Sequence, residues 1–320
     1  MQEMWTEKYR PRDLTEVIGQ TEIVRRLLAV VERRNIPHFL FAGPAGTGKT
    51  TCALALARSL FGTENWQDNF QELNASDERG IQIVRTKIKS FARAAPLAGA
   101  DFKIIFLDEA DSLTSDAQAA LRRTMERYSA TCRFILSCNY SSRIIPPIQS
   151  RCSVMRFSPL TRDEIRTYVD RISAGEGLTI TEEGFETLLY ISEGDLRKTV
   201  NILQVAASYS KKIDQEALFS TAAIARPEQI TEMLQRAVKG NFTGAREVLL
   251  KLVTEAGLSG EDILGQIHRE IYNIPLSDEV RVRLLDAVGE ADFRMIEGAD
   301  ERIQLEALLA RIQLLSRKSP

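Results

Sequence analysis

Residues 39–58 read FLFAGPAGTGKTTCALALAR. An apolar run enters a glycine-rich turn, and the turn opens a helix. The spacing G-x-x-x-x-G-K-T falls on Gly43, Gly48, Lys49 and Thr50. Glycines at these places let successive backbone N–H groups close round phosphates, at a helix N-terminus that already favours anions. In such a loop Lys49 reaches the β and γ phosphates of a nucleotide, and the Thr50 hydroxyl ligates Mg²⁺. The whole stretch of Gly43, Pro44, Ala45, Gly46, Thr47, Gly48, Lys49, Thr50 and Thr51 is therefore expected to cradle a triphosphate.

Hydrolysis also needs carboxylates, and KIIFLDEAD at 103–111 supplies them. Ile104 to Leu107 read as a buried parallel strand. Asp108 and Glu109 emerge at its C-terminal edge, where open α/β sheets bind ligands. Asp108 is expected to hold Mg²⁺ through its shell, and Glu109 to polarise the attacking water. No NKxD or TKxD follows to select guanine, so ATP is the expected nucleotide. A third strand, CRFILSCN at 132–139, ends in Asn139. That amide suits a hydrogen bond to the γ-phosphate or the water; an asparagine at a strand end is equally a turn former. One more candidate stands apart. IIPPIQSRC at 144–152 is apolar up to a single charged residue, Arg151, and its two prolines make it a poor helix and a poor strand.

These groups need elements to position them. SDAQ at 115–118 fits a capping box between Ser115 and Gln118, opening a helix packed through Leu121, Met125 and Tyr128. Arg122, Arg123, Glu126 and Arg127 fall on its other faces, where a solvated surface is the plain reading. SDERGIQIVRTKIKSFAR reads as a helix from about residue 78, with Ile81, Val84, Ile88 and Phe91 at helical spacing. Arg85, Lys89 and Arg93 form a stripe on a neighbouring face, and Arg79 sits in the first turn. PLTRDE at 159–164 holds a second capping box, Thr161 with Glu164. A small helical region is expected from there to about 225, and ARPEQ marks the next boundary. Residues 228–316 give about five amphipathic helices, split near Gly240, Gly257, Pro275 and Gly298.

Composition sets the outer bounds. The 320 residues suffice for two or three domains, and 44% hydrophobic residues is ordinary for a chain with a real core. No apolar run approaches the roughly 20 residues of a membrane span. The segment MQEMWTEKYRPRD has no apolar signal core and is too acidic for a transit peptide. A soluble, cytoplasmic protein is expected. Cys52, Cys132, Cys138 and Cys152 show no CxxC spacing and read as reduced structural thiols. His38 and His268 are isolated. The net charge of −2 excludes a polycation, so any nucleic-acid contact must use a local basic surface or several subunits together.

The motifs WTEKYRP, VIGQ, GPAGTGKTT, ELNASDERGIQIVR, LDEADSLTSDAQAALRRTME, LSCNY, IIPPIQSRC and GDLRKTVN follow one another along the chain. Together they resemble the small subunits of replication factor C, the clamp loader, in its archaeal form. The phosphate loop alone would indicate only an AAA+ ATPase; the SRC triplet, the ASDERG segment and EKYRP narrow it. The likeness is weakest beyond about residue 230.

The resemblance implies an α/β P-loop AAA+ domain, a parallel sheet flanked by helices, over 1–160. A helical lid over 161–226 and an all-α collar over 227–320 are implied to follow. It implies a pentameric spiral of a large subunit and small subunits, with ATP and Mg²⁺ between neighbours, acting on a sliding clamp and primer–template DNA. Arg151 becomes an arginine finger offered in trans, and Arg197 in GDLRKT a second sensor of bound nucleotide. Thr6, Arg10, Val17 and Ile18 match an adenine pocket; Trp5 and Tyr9 would otherwise pass as core anchors. Arg79, Arg85 and Lys89 match positions that grip the duplex backbone. The loop has Ala45 where many relatives carry a second proline. The rival expectations are another DNA-directed AAA+ motor, for branch migration or helicase loading, and a scaffold that binds ATP without turning it over.

Overall fold

In the computed structural model, which describes residues 3–77, 80–97, 99–222 and 225–316, the chain forms two units, Met1–Lys212 and Ile213–Pro320. The first is built on five parallel strands: β1 (His38–Ala42), β2 (Phe70–Asn74), β3 (Lys103–Asp108), β4 (Cys132–Cys138) and β5 (Cys152–Arg156). Their order is β2-β3-β4-β1-β5.

Strand side chains alternate between faces, and both faces of this sheet are apolar. Phe39, Phe41, Ile104, Phe106 and Ile135 share one cluster with Leu27, Cys52, Ala53 and Leu56. The last four come from α2 (Thr21–Arg33) and α3 (Lys49–Phe61), which follow a one-turn α1 (Trp5–Lys8). Leu40, Ile105, Leu107, Phe134 and Leu136 share the other cluster with Ile83, Val84, Ile88, Leu121 and Met125.

The helix on this second face differs from expectation. It starts at Ile81, because Gly80 is extended (φ −85°, ψ 166°) and acts as the cap; residues 78 and 79 lie outside the described residues. It then runs as α4 (Ile81–Ile83), a π-helical turn (Val84–Ile88) and α5 (Lys89–Arg93).

The next helix, α6 (Ser115–Arg127), corrects a second expectation. Its cap is Thr114, whose hydroxyl accepts from the Ala117 N–H at 3.3 Å, so no Ser115–Gln118 box forms. Gln118 is buried instead. Its amide donates to the carbonyls of Leu113 and Arg143 and accepts from the Ile145 N–H. It thereby satisfies three backbone groups of the loops on either side of it. The second of these loops leads into α7 (Pro146–Gln149), a single helical turn in a stretch that reads as a poor helix. Both prolines fall in its first turn, where a missing N–H costs nothing. The helices α8 (Arg162–Glu176), α9 (Glu182–Ser192) and α10 (Leu196–Tyr209) complete the unit, and α8 opens with the expected Thr161–Glu164 box.

The second unit is helical: α11 (Gln215–Ala222), α12 (Pro227–Val238), α13 (Phe242–Thr254), α14 (Gly260–Glu270), α15 (Asp278–Ile296) and α16 (Glu301–Ser316). Its core holds Ile230, Leu234, Leu249, Ile263, Ile267, Leu284 and Leu309. Among the described residues no helix is long and apolar enough to cross a membrane.

His38 opens β1, the strand that delivers the phosphate loop. Its Nδ1 accepts from the Phe134 N–H at 3.1 Å, and its ring meets Phe134 edge-on. Burial, with the nearby Arg133 guanidinium, lowers its pKa from 6.5 to about 4. Above pH 6.5 the ring is neutral whether the chain is folded or not. Between pH 6.5 and 4 only the unfolded chain takes up the proton, so stability falls with pH across that window. The loss attributable to His38 is about 3 kcal/mol. Chemical denaturation at pH 7 and pH 4 should show the native chain losing that much more than His38→Gln, which retains an acceptor. Equal losses would remove His38 as the cause.

Candidate active site

Strand order sets the site. β1, β4 and β3 are neighbours, so their C-terminal ends stand side by side. β1 ends in the glycine-rich loop, β3 in Asp108 and Glu109, and β4 at Asn139. A pocket there is lined by Thr6, Arg10, Val17, Ile18, Ala45, Gly46, Thr47, Gly48, Lys49, Thr50, Thr51, Asp108, Glu109, Asn139 and Arg197. Residues separated by up to about 190 positions, all singled out from sequence, thus share one cavity.

Lys49 is its centre. The residue is 8% exposed, and its ammonium donates to the carbonyls of Gly43 (2.6 Å) and Pro44 (2.7 Å) and to Asn139 Oδ1 (3.0 Å). Burial lowers its pKa, opposed chiefly by the charge of Asp108. Asn139 points its side-chain oxygen at Lys49, while its own N–H and that of Tyr140 donate to Asp111 Oδ2. The strand end is therefore held by Asp111, and the Asn139 side chain is turned into the site.

The loop is tightly held. A Cβ on Gly46 (φ +67°) would lie 1.9 Å from Asp195 Oδ1, and one on Gly43 would lie 2.3 Å from the Phe157 carbonyl oxygen. Asp195 caps α10 by accepting from the Lys198 N–H, and the Leu196 N–H donates to the Gly46 carbonyl. The helix carrying Arg197 is thus docked on the phosphate loop itself. Leu196, Val200 and Leu203 read in sequence as its packed side, leaving Arg197 on a different face. In the structure Leu196 and Val200 also line the pocket.

Thr50 Oγ1 donates to Asp108 Oδ2 at 2.8 Å. A hydroxyl beside a carboxylate is a hard oxygen pair that suits Mg²⁺. Among the described residues no cluster of three His, Cys, Asp or Glu side chains stands ready for a metal. A cation at Thr50 and Asp108 would complete its shell with phosphate and water oxygens. Glu109 has a left-handed backbone (φ +51°), and its N–H donates to Asp108 Oδ1. Such a conformation is sparsely populated in a non-glycine residue. Here it turns the chain sharply between the two carboxylates.

The far wall comes from an N-terminal strap. Trp5 is buried and its N–H donates to Gln204 Oε1; the Tyr9 hydroxyl donates to Glu176. Tyr168 on α8 donates to the Tyr9 carbonyl at 3.0 Å and lines the pocket with Pro11. Sequence reading does not single out Tyr168 or Pro11, and nothing near Tyr168 in sequence marks it.

Two groups lie elsewhere. Arg151 is not among the lining residues; its Nη2 pairs with Glu126 at 2.5 Å and its Nη1 donates to the Pro147 carbonyl. Arg85 and Lys89 line a second groove, with Ile81, Val84, Arg123 and Arg127. The two α6 arginines, which read as a solvated face, therefore add to the same basic surface. Arg79 lies outside the described residues. The four thiols are pushed up to about 12 by burial, as befits inert cysteines.

Residues 39–160 match the AAA model, "ATPase family associated with various cellular activities", and residues 225–311 match the replication factor C C-terminal domain. The replication factor C small subunit of Archaeoglobus fulgidus is 60% identical, over 99% of both chains. The chain belongs to the replication factor C small-subunit family. The small subunit of Methanocella arvoryzae is 57% identical over 98% of this chain and 97% of its own. A solved structure of the Thermotoga maritima RuvB branch migration motor aligns with a TM-score of 0.56, covering 81% of this chain and 91% of that one. At 19% identity that likeness speaks for the fold alone. As a member of the family with an AAA domain, the chain is a nucleotide-binding ATPase.

Proposed function

We propose that this chain is the ATP-hydrolysing small subunit of a clamp loader, which places a ring-shaped sliding clamp on primer–template DNA during replication. The observation that carries the reading is the split between Arg151 and the other candidates for hydrolysis. The phosphate loop, both carboxylates, Asn139 and Arg197 share one pocket, and Arg151 does not line it. A pocket with everything but its finger is one that a neighbour completes. The assembly is a pentamer with a large subunit and other small subunits, active in the cytoplasm. Its working division is a nucleotide domain over 1–160, a lid over 161–226 and a collar over 227–320.

Within a subunit, backbone N–H groups of residues 45–51 and the Lys49 ammonium bind the triphosphate. Thr6, Arg10, Val17 and Ile18 enclose the adenine under the N-terminal strap. Thr50 and Asp108 hold Mg²⁺, which when bound neutralises phosphate charge. Glu109 takes the proton side of the attacking water, Asn139 orients that water or the γ-phosphate, and Arg197 reports the nucleotide to the lid. Arg151 of the adjoining subunit meets the charge that develops on the transferred phosphoryl group. Arg79, Arg85 and Lys89 grip DNA phosphates without reading sequence.

Steady-state ATPase activity of the assembled complex, with and without primed DNA and clamp, tests this reading. Synergy between DNA and clamp is expected. Turnover indifferent to the clamp would favour another motor, and no turnover a scaffold. A paired Arg85→Ala, Lys89→Ala variant should need more DNA for stimulation, with ATP affinity unchanged. Its log–log salt slope should flatten by about 0.9 for each phosphate that the variant no longer neutralises. An unchanged slope would remove these residues from the DNA surface.

A further inference from the structure

We infer that Glu126 is a positioning residue for Arg151, holding its guanidinium in the pose presented to the nucleotide of the adjoining subunit. The inference rests on the reading of Arg151 as a finger in trans. The backbone before Arg151 is stiff: Pro146 and Pro147 fix φ in α7, and the Arg151 N–H donates to the Ile148 carbonyl. The side chain is the loose part. A free arginine side chain samples many rotamers, a freedom that a finger left loose in solvent must lose on meeting phosphate.

Two acceptors remove that freedom beforehand. Nη1 donates to the Pro147 carbonyl at 2.7 Å and lies 3.4 Å from the Ser150 hydroxyl. Nη2 pairs with Glu126 Oε1 at 2.5 Å. Both side chains of the pair are well exposed, at 37% and 40%, so the pair contributes little to fold stability. What it fixes is direction. One acceptor lies on Arg151's own turn and the other on α6, so the guanidinium is held at two points. The same Glu126 oxygen stands 3.9 Å from Arg122 on the preceding turn of α6, which places the carboxylate between two cations. The frame behind it is rigid, because buried Gln118 bonds α6 to the loop before α7 through Arg143 and Ile145. The donors that remain on the guanidinium are those a phosphate meets.

The test is kcat and KM for ATP of the assembled complex with clamp and primed DNA, in a double-mutant cycle. Glu126→Ala should lower kcat about tenfold, a modest share of the loss that misplacing a catalytic group can cause, with KM unchanged. Glu126→Gln, which keeps an acceptor oxygen, should lose less. On an Arg151→Ala background Glu126→Ala should cost nothing further, since there is no finger left to direct. An unchanged or raised kcat overturns the inference, as does a loss that adds in full to that of Arg151→Ala. Should Arg151→Ala itself keep full turnover, the finger reading fails first and this inference goes with it. Glu126 is exposed, so circular dichroism of both variants should match the native chain and exclude misfolding as the cause.

Discussion

Arg151→Ala should lower ATP turnover of the assembled complex by about 10³- to 10⁵-fold, the range of an arginine finger. That is roughly 4 to 7 kcal/mol of transition-state stabilisation. ATP affinity of the isolated chain should not change, because Arg151 does not line its own pocket and its partners are Glu126 and the Pro147 carbonyl. Stability should shift little, since an exposed ion pair is worth about 0–1 kcal/mol. A lysine at the same place should rescue only partly. It keeps the charge but loses the planar fork that matches phosphate oxygens. Equilibrium nucleotide binding on the isolated chain and turnover of the complex separate the two effects. An isolated Arg151→Ala chain that bound ATP as poorly as one lacking Lys49 would place the arginine in its own site and sink the trans assignment.

Lys49 is legible in the sequence through local chemistry, whereas the role of Arg151 is what the family resemblance implies. A phosphate loop needs glycines, a lysine and a hydroxyl at fixed spacing, and a buried strand needs consecutive apolar residues, so residues 39–58 and 103–111 carry their own signal. The edge strands β2 and β5 carry almost none. Each has only one neighbour, and FQELN and CSVMR keep polar residues toward solvent, which blurs the apolar run that marks an interior strand. Gln118 is misread for a different reason. Ser115 and Gln118 have capping-box spacing, but the cap falls one residue earlier, and Gln118 finds partners about 25 residues away that no local pattern encodes. Tyr168 is the extreme case: its role at the pocket depends on a hydrogen bond to Tyr9, across 159 residues of chain. The π turn at Val84–Ile88 is likewise invisible in the spacing of Ile81, Val84 and Ile88, which suits an α-helix as well. Sequence therefore locates most of the groups that line the pocket and misses those that hold such groups in place.

Lys49→Ala should act in cis, where Arg151→Ala acts in trans. Its ammonium is a buried cation at the loop, and removing it takes away charge-assisted bonds worth about 1.5–3 kcal/mol each. Against that stand the bonds Lys49 makes within the chain. It donates to Gly43, Pro44 and Asn139 and must give up part of this set to bind phosphate. The difference leaves an expected loss of about 10²-fold in ATP affinity, near 3 kcal/mol. The variant should fold, although the Gly43 and Pro44 carbonyls lose their donor and Asn139 loses its orienting partner. Titration of the isolated chain with a fluorescent ATP analogue would measure the affinity directly. Mixing supplies the sharper check. A complex that combines Lys49→Ala subunits with Arg151→Ala subunits retains turnover only at interfaces where an intact loop faces an intact finger. Residual activity that tracks the number of such interfaces ties Lys49 to its own subunit and Arg151 to the next. Activity that instead tracks the number of doubly intact subunits would put both residues in one site and require a different geometry for the finger.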